Sequence, residues 1–300
     1  MRVAQNRVRI FLLLCSFLLL AAGRSRAQDT PYFVTYDHHF EKAGTLEIET
    51  FSTMGFPRTP EPGSAERGQR FYAAPYAEIE YAVHDQWTTA FYLEGQGTSG
   101  DSTLFTGWRW ENRFRPLKKE HRINPVLYFE YESLNDASRI AKEIVGEGPD
   151  LDLTNSALRA VKSYEVETKL ILSSDVDGWN IAGNFIVEKN LTRGEGFEFG
   201  YAFGFSRSLS NSTVITKCRF CRQRFALGLE AYGATGNTVT GFGLHDTAQY
   251  VAPAVLYDLG PRGTVRFSTA LGIGHESSRA LIRVGYTYEI PSFLRKTREP

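Results

Sequence analysis

The chain has 300 residues, with 34 Lys and Arg set against 34 Asp and Glu, and 42% of its residues are hydrophobic. That length suffices for one large all-β domain or two small ones. The lack of a basic excess argues against a nucleic-acid binder, which needs a positive footprint.

Residues 1–27 read as a cleaved export signal: Arg2, Arg7 and Arg9 precede the apolar run Ile10 to Ala22, and Ser25-Arg26-Ala27 supplies a small-x-small cleavage site. The apolar run is about 13 residues, short of the roughly 20 a helix needs to cross a bilayer. Cys15 follows Leu12-Leu13-Leu14, where a lipidation signal would place small residues. Loss of the signal removes Arg2, Arg7, Arg9, Arg24 and Arg26 and no acid, leaving an acidic excess of five. No later stretch approaches the roughly 18 consecutive apolar residues of a transmembrane helix.

Residues 28–42 form a polar lead, expected on the periplasmic side. From 43 to 290 the pattern is that of strands, and 291–300 is a tail. Alternation and turn residues predict twelve strands, with ten or fourteen as alternatives: 44–53, 71–83, 87–97, 103–114, 125–132, 163–173, 179–188, 196–206, 224–233, 249–258, 264–274 and 279–290. Most are about ten residues long, against five or six in ordinary globular strands, and roughly nine to eleven tilted residues cross the hydrocarbon layer. Pro75, Pro125 and Pro253 fall in or at strands, where a closed sheet needs the missing N–H, so bulges or strand starts are expected there. In the longest link, Asp136 to Val145 carries Ile140, Ile144 and Val145 at helical spacing and predicts a short helix.

A period of two says only that the faces differ. One face carries Trp108, Trp110, Phe114, Leu127, Phe129, Leu170, Phe203, Leu229 and Val284; the other mixes Glu with Ala, Gly and Asn, such as Ala90, Asn184, Gly200 and Gly228. Small residues leave room in a lumen and are poor choices for a watery exterior, so the apolar face is expected to meet lipid. Aromatics read near strand ends, including Trp87, Trp108, Trp110 and Trp179, would form the interfacial girdles. Links after even-numbered strands are mostly short and those after odd-numbered strands longer, as at the two rims of a transmembrane barrel. The link from Arg207 to Gln223 is the exception. The fold class is therefore a single antiparallel transmembrane β-barrel.

The segments "ETKLILSSDVDGWNIAGNFIVEKN", "CRFCRQRFALGLEAYG" and "HDTAQYVAP" resemble a group of uncharacterised bacterial outer-membrane β-barrel proteins of the porin or transporter class. The resemblance implies location and fold, and brings no activity or catalytic residue with it.

Candidate lumen-facing residues are Glu47, Glu49, Glu78, Glu80, Glu94, Glu111, Glu130, Glu132, Glu165, Glu167, Glu188, Glu198 and Glu230, with Arg109, Arg113, Lys169, Arg266 and Arg283. Carboxylates at i, i+2 lie about 7 Å apart on one face, and rings of them favour cations over anions. Two readings follow: a Glu-lined channel for small hydrophilic solutes or cations, or a closed structural or surface-binding barrel in which the basic residues plug the interior. A third, an outer-membrane hydrolase, rests on His245-Asp246 and His275-Glu276-Ser277, whose spacing places no nucleophile beside a base. Cys218 and Cys221 predict a local disulfide, since Thr213 to Arg224 offers no His, Asp or Glu for a metal. Adjacent His38 and His39 on an extended segment would point oppositely, so Asp37-His38-His39 reads as loop. No cofactor or metal is expected; the expected partners are outer-membrane lipid, the barrel-assembly machinery and an unidentified small solute.

Overall fold

A computed structural model describes residues 30–58, 71–140, 144–145, 153–210, 218, 220–245, 247–260, 262–274 and 276–294. The expected export signal lies outside the described residues, as do Asp246 and His275 of the hydrolase reading. The strands are β1 (Leu46–Phe56), β2 (Tyr72–His84), β3 (Trp87–Thr98), β4 (Thr103–Phe114), β5 (Asn124–Asn135), β6 (Lys162–Val176), β7 (Trp179–Asn190), β8 (Phe197–Ser208), β9 (Phe225–Asn237), β10 (Gly241–Phe242), β11 (Gln249–Gly260), β12 (Gly263–Gly272) and β13 (Ala280–Ile290).

Twelve of these close on themselves. Each pairs antiparallel with its neighbours in sequence, and β1 returns to β13 along an unbroken register from Leu46↔Ile290 to Phe56↔Ala280. Closure leaves no edge strand. The two-residue β10 stands outside the ring, paired only to the end of β9.

The alternation resolves in one sense. Ile79, Phe105, Leu127 and Phe185 are at least half exposed on the outer face, whereas Glu111, Glu130 and Glu230 are fully buried within. Water would not tolerate that exterior over a full circumference, whereas lipid requires it. Lipid also demands that every backbone N–H and C=O be paired within the protein, as the closed ladder does. The molecule is a twelve-stranded transmembrane β-barrel.

Both termini of the barrel lie at one rim, here the near rim. It carries stacked aromatics, Trp87 on Phe114 and Trp179 on Phe205, with the Arg207 guanidinium 5.0 Å above the Trp179 ring. Phe56 and Phe71 meet at the far rim. Trp108 and Trp110, expected in a girdle, sit instead near the middle of β4. There Trp108 packs on Phe91 and Tyr131, and the Trp110 Nε1–H donates to Thr89 Oγ1. The indole N–H is satisfied laterally, so the headgroup level is not needed.

Local rules account for the irregularities. The β6–β7 turn uses Asp177 and Gly178 at φ 51° and 80°, the pair of left-handed residues that a tight hairpin prefers. Pro75 lies where the β2–β3 ladder skips from Ala73↔Gly97 to Tyr76↔Glu94, and Pro253 where β11–β12 skips from Val251↔Leu271 to Ala254↔Ser268. Pro125 is the second residue of β5. In the longest far-rim link the described part of 136–145 is turn and bend and includes no helix. The helix found there is α1 (Asn155–Arg159), its start capped by Thr154 Oγ1 accepting from the Ala157 N–H.

Candidate functional site

The inward register places carboxylates side by side. Glu111 faces Glu130 across β4–β5, Glu130 faces Glu167 across β5–β6, Glu167 faces Glu188 across β6–β7, and Glu188 faces Glu198 across β7–β8. A second tier pairs Glu132 with Glu165, and on β1–β2 Glu47 faces Glu80 and Glu49 faces Glu78. Directly opposed like charges are destabilising, so the belt needs cations.

The protein supplies some of them. Arg109 Nε lies 2.6 Å from Glu94 Oε1 and its Nη1 2.9 Å from Glu130 Oε1. Arg113 pairs with Glu80 and with Glu111, Lys169 Nζ lies 2.8 Å from Glu167, and Arg266 reaches Glu49 at 3.2 Å. The Arg283 guanidinium stands 5.1 Å from the Tyr232 ring. Tyrosines complete the wall: Tyr92 and Tyr36 hydroxyls donate to Glu111 Oε2, and Tyr128 donates to Glu130 Oε2. Among the described residues Glu132 Oε2, Glu165 Oε2 and Glu188 Oε2 accept no hydrogen bond. Among the described inward residues acidic side chains outnumber basic ones.

The lead is not periplasmic in this structure. It lies inside the barrel, because within a few residues it touches inward side chains on opposite walls. It rises from the near rim, where the Tyr32 hydroxyl meets Asn180, to an apex at Phe33–Thr35. Three consecutive N–H groups of that apex, from Phe33, Val34 and Thr35, donate to the Glu230 carboxylate at 2.8–3.0 Å. The segment then turns back: Asn184 closes a two-way bond with the Tyr36 backbone, His38 Nδ1 meets Ser173 Oγ at 2.6 Å, and the Ala43 N–H reaches Asp85 at the rim. Glycine makes the approach possible, since a Cβ on Gly204 would stand 2.7 Å from Tyr32 Cζ and one on Gly228 2.6 Å from Pro31 Cγ. The room that small inward residues leave is filled by the chain's own backbone.

A second segment enters from the far rim. Ser138 Oγ donates to Glu94 at 3.0 Å, Arg139 stands over the Tyr72 ring, and Asn155 is tied to the β3–β4 turn through Asp101 and Ser102. Ile140 and Ile144 from this segment and Phe33 and Val34 from the lead pack into one apolar cluster with Tyr72, Tyr232, Tyr250 and Leu281. Between the lead and the β1–β2 wall remains a cavity of about 150 Å³, lined by Glu47, Glu49, Glu78, Glu80, Arg113 and Arg266 among others. It has room for a few waters or a hydrated ion, where a drug-sized ligand needs about 300 Å³ or more.

The bend at His38 overturns the expectation that the two histidines diverge: their ring centroids are 4.3 Å apart. His39 bridges Asp37 Oδ2 at 3.0 Å and Asp175 Oδ2 at 2.9 Å. Burial disfavours its charged form, but the flanking Asp37 and Asp175 outweigh burial and push its pKa up to about 11. Of the remaining candidates, Cys218 and Cys221 are joined in a disulfide. Ser277 is committed to the sheet, its hydroxyl donating to Gln249 O and accepting from Gln249 N–H.

No protein-family model and no curated protein matches the chain. Among solved structures it is similar to the KdgM porin in complex with disordered oligogalacturonate, at 8% identity and TM-score 0.48, covering 81% of this chain and 98% of that one. It is similar to an outer membrane channel from Pseudomonas putida F1 at 10% identity and TM-score 0.49, covering 85% and 98%. The NanC porin follows at 9% and 0.46, covering 82% and 100%.

Proposed function

We propose that the protein is an outer-membrane channel for small hydrophilic solutes, passing cations before anions, and that the two inserted segments hold it shut in the conformation described. The carrying observation is the belt Glu111–Glu130–Glu167–Glu188–Glu198, aligned across five neighbouring strands. Rings of acidic side chains attract cations and repel anions at close quarters. Acceptor oxygens on Glu132, Glu165 and Glu188 that the described residues leave unused offer successive positions to a moving cation. The apolar exterior and the predicted export signal support an outer-membrane address.

Planar-bilayer recording on the mature chain and on a chain lacking residues 28–43 tests this. The truncated chain is expected to conduct with cation preference, and Glu130→Gln, Glu167→Gln and Glu188→Gln together to weaken that preference. Silence from the truncated chain, or anion preference, would overturn the reading. In that event the second reading stands, a closed structural or surface-binding barrel, which the apolar cluster shared by lead and far-rim segment favours.

A further inference from the structure

We infer that the lead carries a divalent transition-metal site at the near rim, formed by His38 and His39 with Asp175 of β6. One ligand atom from each of the three lies within 4.8 Å of the others. Two imidazoles and one carboxylate suit zinc-class ions such as Zn(II), Ni(II) or Cu(II), whereas Ca(II) and Mg(II) take oxygen.

Three features raise this above a chance cluster. Each histidine has its Nδ1 engaged by a supporting oxygen, His38 by Ser173 Oγ and His39 by Asp37 Oδ2, while His39 Nε2 lies 2.9 Å from Asp175 Oδ2, a contact that an ion bound between the two would replace. A ligating histidine is held in this way, with one nitrogen oriented by a partner and the other turned to the ion. Second, the remaining nitrogen of His38, Nε2, is buried with no hydrogen-bond partner among the described residues, in a side chain 1% exposed. A buried polar atom left in that state is costly, and coordination would relieve it. Third, Asp175 is oriented by Asn180 Nδ2 at 2.8 Å, while the side chains of His39 and Asp175 remain 26% and 25% exposed. An ion can therefore reach the site from solvent and keep a water as its fourth ligand. Because two ligands belong to the lead and one to the wall, the ion would pin the inserted segment to β6.

The test uses the mature full-length protein, folded in detergent and stripped with a chelator. Co(II) is expected to bind one per chain with visible d–d absorption and to be displaced by Zn(II). Affinity should fall at least tenfold in His38→Ala, His39→Ala and Asp175→Asn, about tenfold in Asp37→Asn and Ser173→Ala, and not at all in His121→Ala. X-ray absorption of the Zn(II) form of the unaltered protein should show two imidazole nitrogens at about 2.0–2.1 Å, a result that does not depend on any variant folding. Absence of binding, binding that survives all three ligand substitutions, or a shell without imidazole would overturn the site and leave His39 as a cation bridging two carboxylates. None of these measurements reads conductance, so their failure is separable from failure of the channel reading.

Discussion

The two sides of the lumen differ in what fills them. On β3–β7 the inward positions are large and charged or aromatic: Tyr92, Glu94, Arg109, Glu111, Arg113, Tyr128, Glu130, Glu167, Lys169 and Glu188. On β8–β13 they are mostly small, with Gly200, Ala202, Gly204, Gly228, Ala252, Ser268 and Ala270. The charged wall fills its half of the bore with side chains that neutralise one another only in part. The small wall leaves a volume that only backbone can enter, and there the lead and the far-rim segment sit. One wall is held mainly by ion pairs; the other holds the lead by shape, by the Glu230 carboxylate and by Arg266, whose Nη1 donates to Tyr32 O at 3.4 Å.

Breaking the charged wall should cost most. Arg109→Met leaves Glu94 and Glu130, both buried, without their shared cation, and removing one partner of a buried pair costs about 3–5 kcal/mol. The midpoint of heat-induced loss of β-structure by circular dichroism should fall, and adding Glu130→Gln should recover part of the loss. If the single and double variants melt together, the pair is not what steadies this wall.

Breaking the small wall at its carboxylate anchor comes next. Glu230→Ala removes the acceptor for three backbone N–H groups, and bonds to a charged group contribute about 1.5–3 kcal/mol each, with incomplete additivity. The barrel should stay folded while the lead is released, so chymotryptic cleavage after Tyr36 should rise about tenfold or more. Gly228→Val attacks the same packing sterically, since its Cβ would stand 2.6 Å from Pro31 Cγ and 3.3 Å from Ser206 Cβ. Overpacking of this kind costs about 1–3 kcal/mol, so cleavage should rise less than in Glu230→Ala, and a protected lead would show that the wall yields instead.

How much of this was legible follows from range. Strand number, the sense of the faces and the Asp177-Gly178 turn are encoded over ten or fewer residues, by a period of two and by turn chemistry, and a sequence carries them openly. The belt depends on register between strands. That Glu130 faces both Glu111 and Glu167 cannot be read from any one strand, although the i, i+2 carboxylates hint at a wall. Trp108 and Trp110 were misplaced because a one-dimensional reading puts aromatics at rims, while the hydrogen bond to Thr89 that satisfies Trp110 spans two strands. The placement of the lead, expected on the periplasmic side, departs furthest from the sequence reading: the segment lacks periodicity, and its partners Glu230 and Asn184 look like any other lumen residue. The one signal that pointed to it was the run of inward glycines on β8 and β9, since empty volume in a closed bore has to be filled.

The smallest expected effect sharpens the comparison where the two walls meet. Tyr36 belongs to the lead, yet its ring lies over the charged wall, 5.1 Å from the Arg113 guanidinium carbon, 4.7 Å from Lys169 Nζ and 5.1 Å between centroids from Tyr128. Its hydroxyl donates to Glu111 at 3.1 Å. Tyr36→Phe keeps the ring and its cation contacts and gives up that donor and a long 3.5 Å contact with the Tyr92 hydroxyl, while Tyr92 continues to donate to the same Glu111 oxygen at 2.6 Å. A single hydrogen bond nets about 0.5–1.5 kcal/mol, so the melting midpoint should fall slightly and the lead should remain protected from chymotrypsin at Phe33. Tyr36→Ala, which removes the ring, should expose the lead far more. Equal effects from the two substitutions would mean that the hydroxyl, and so the charged wall, holds the segment that the small wall was shaped to receive.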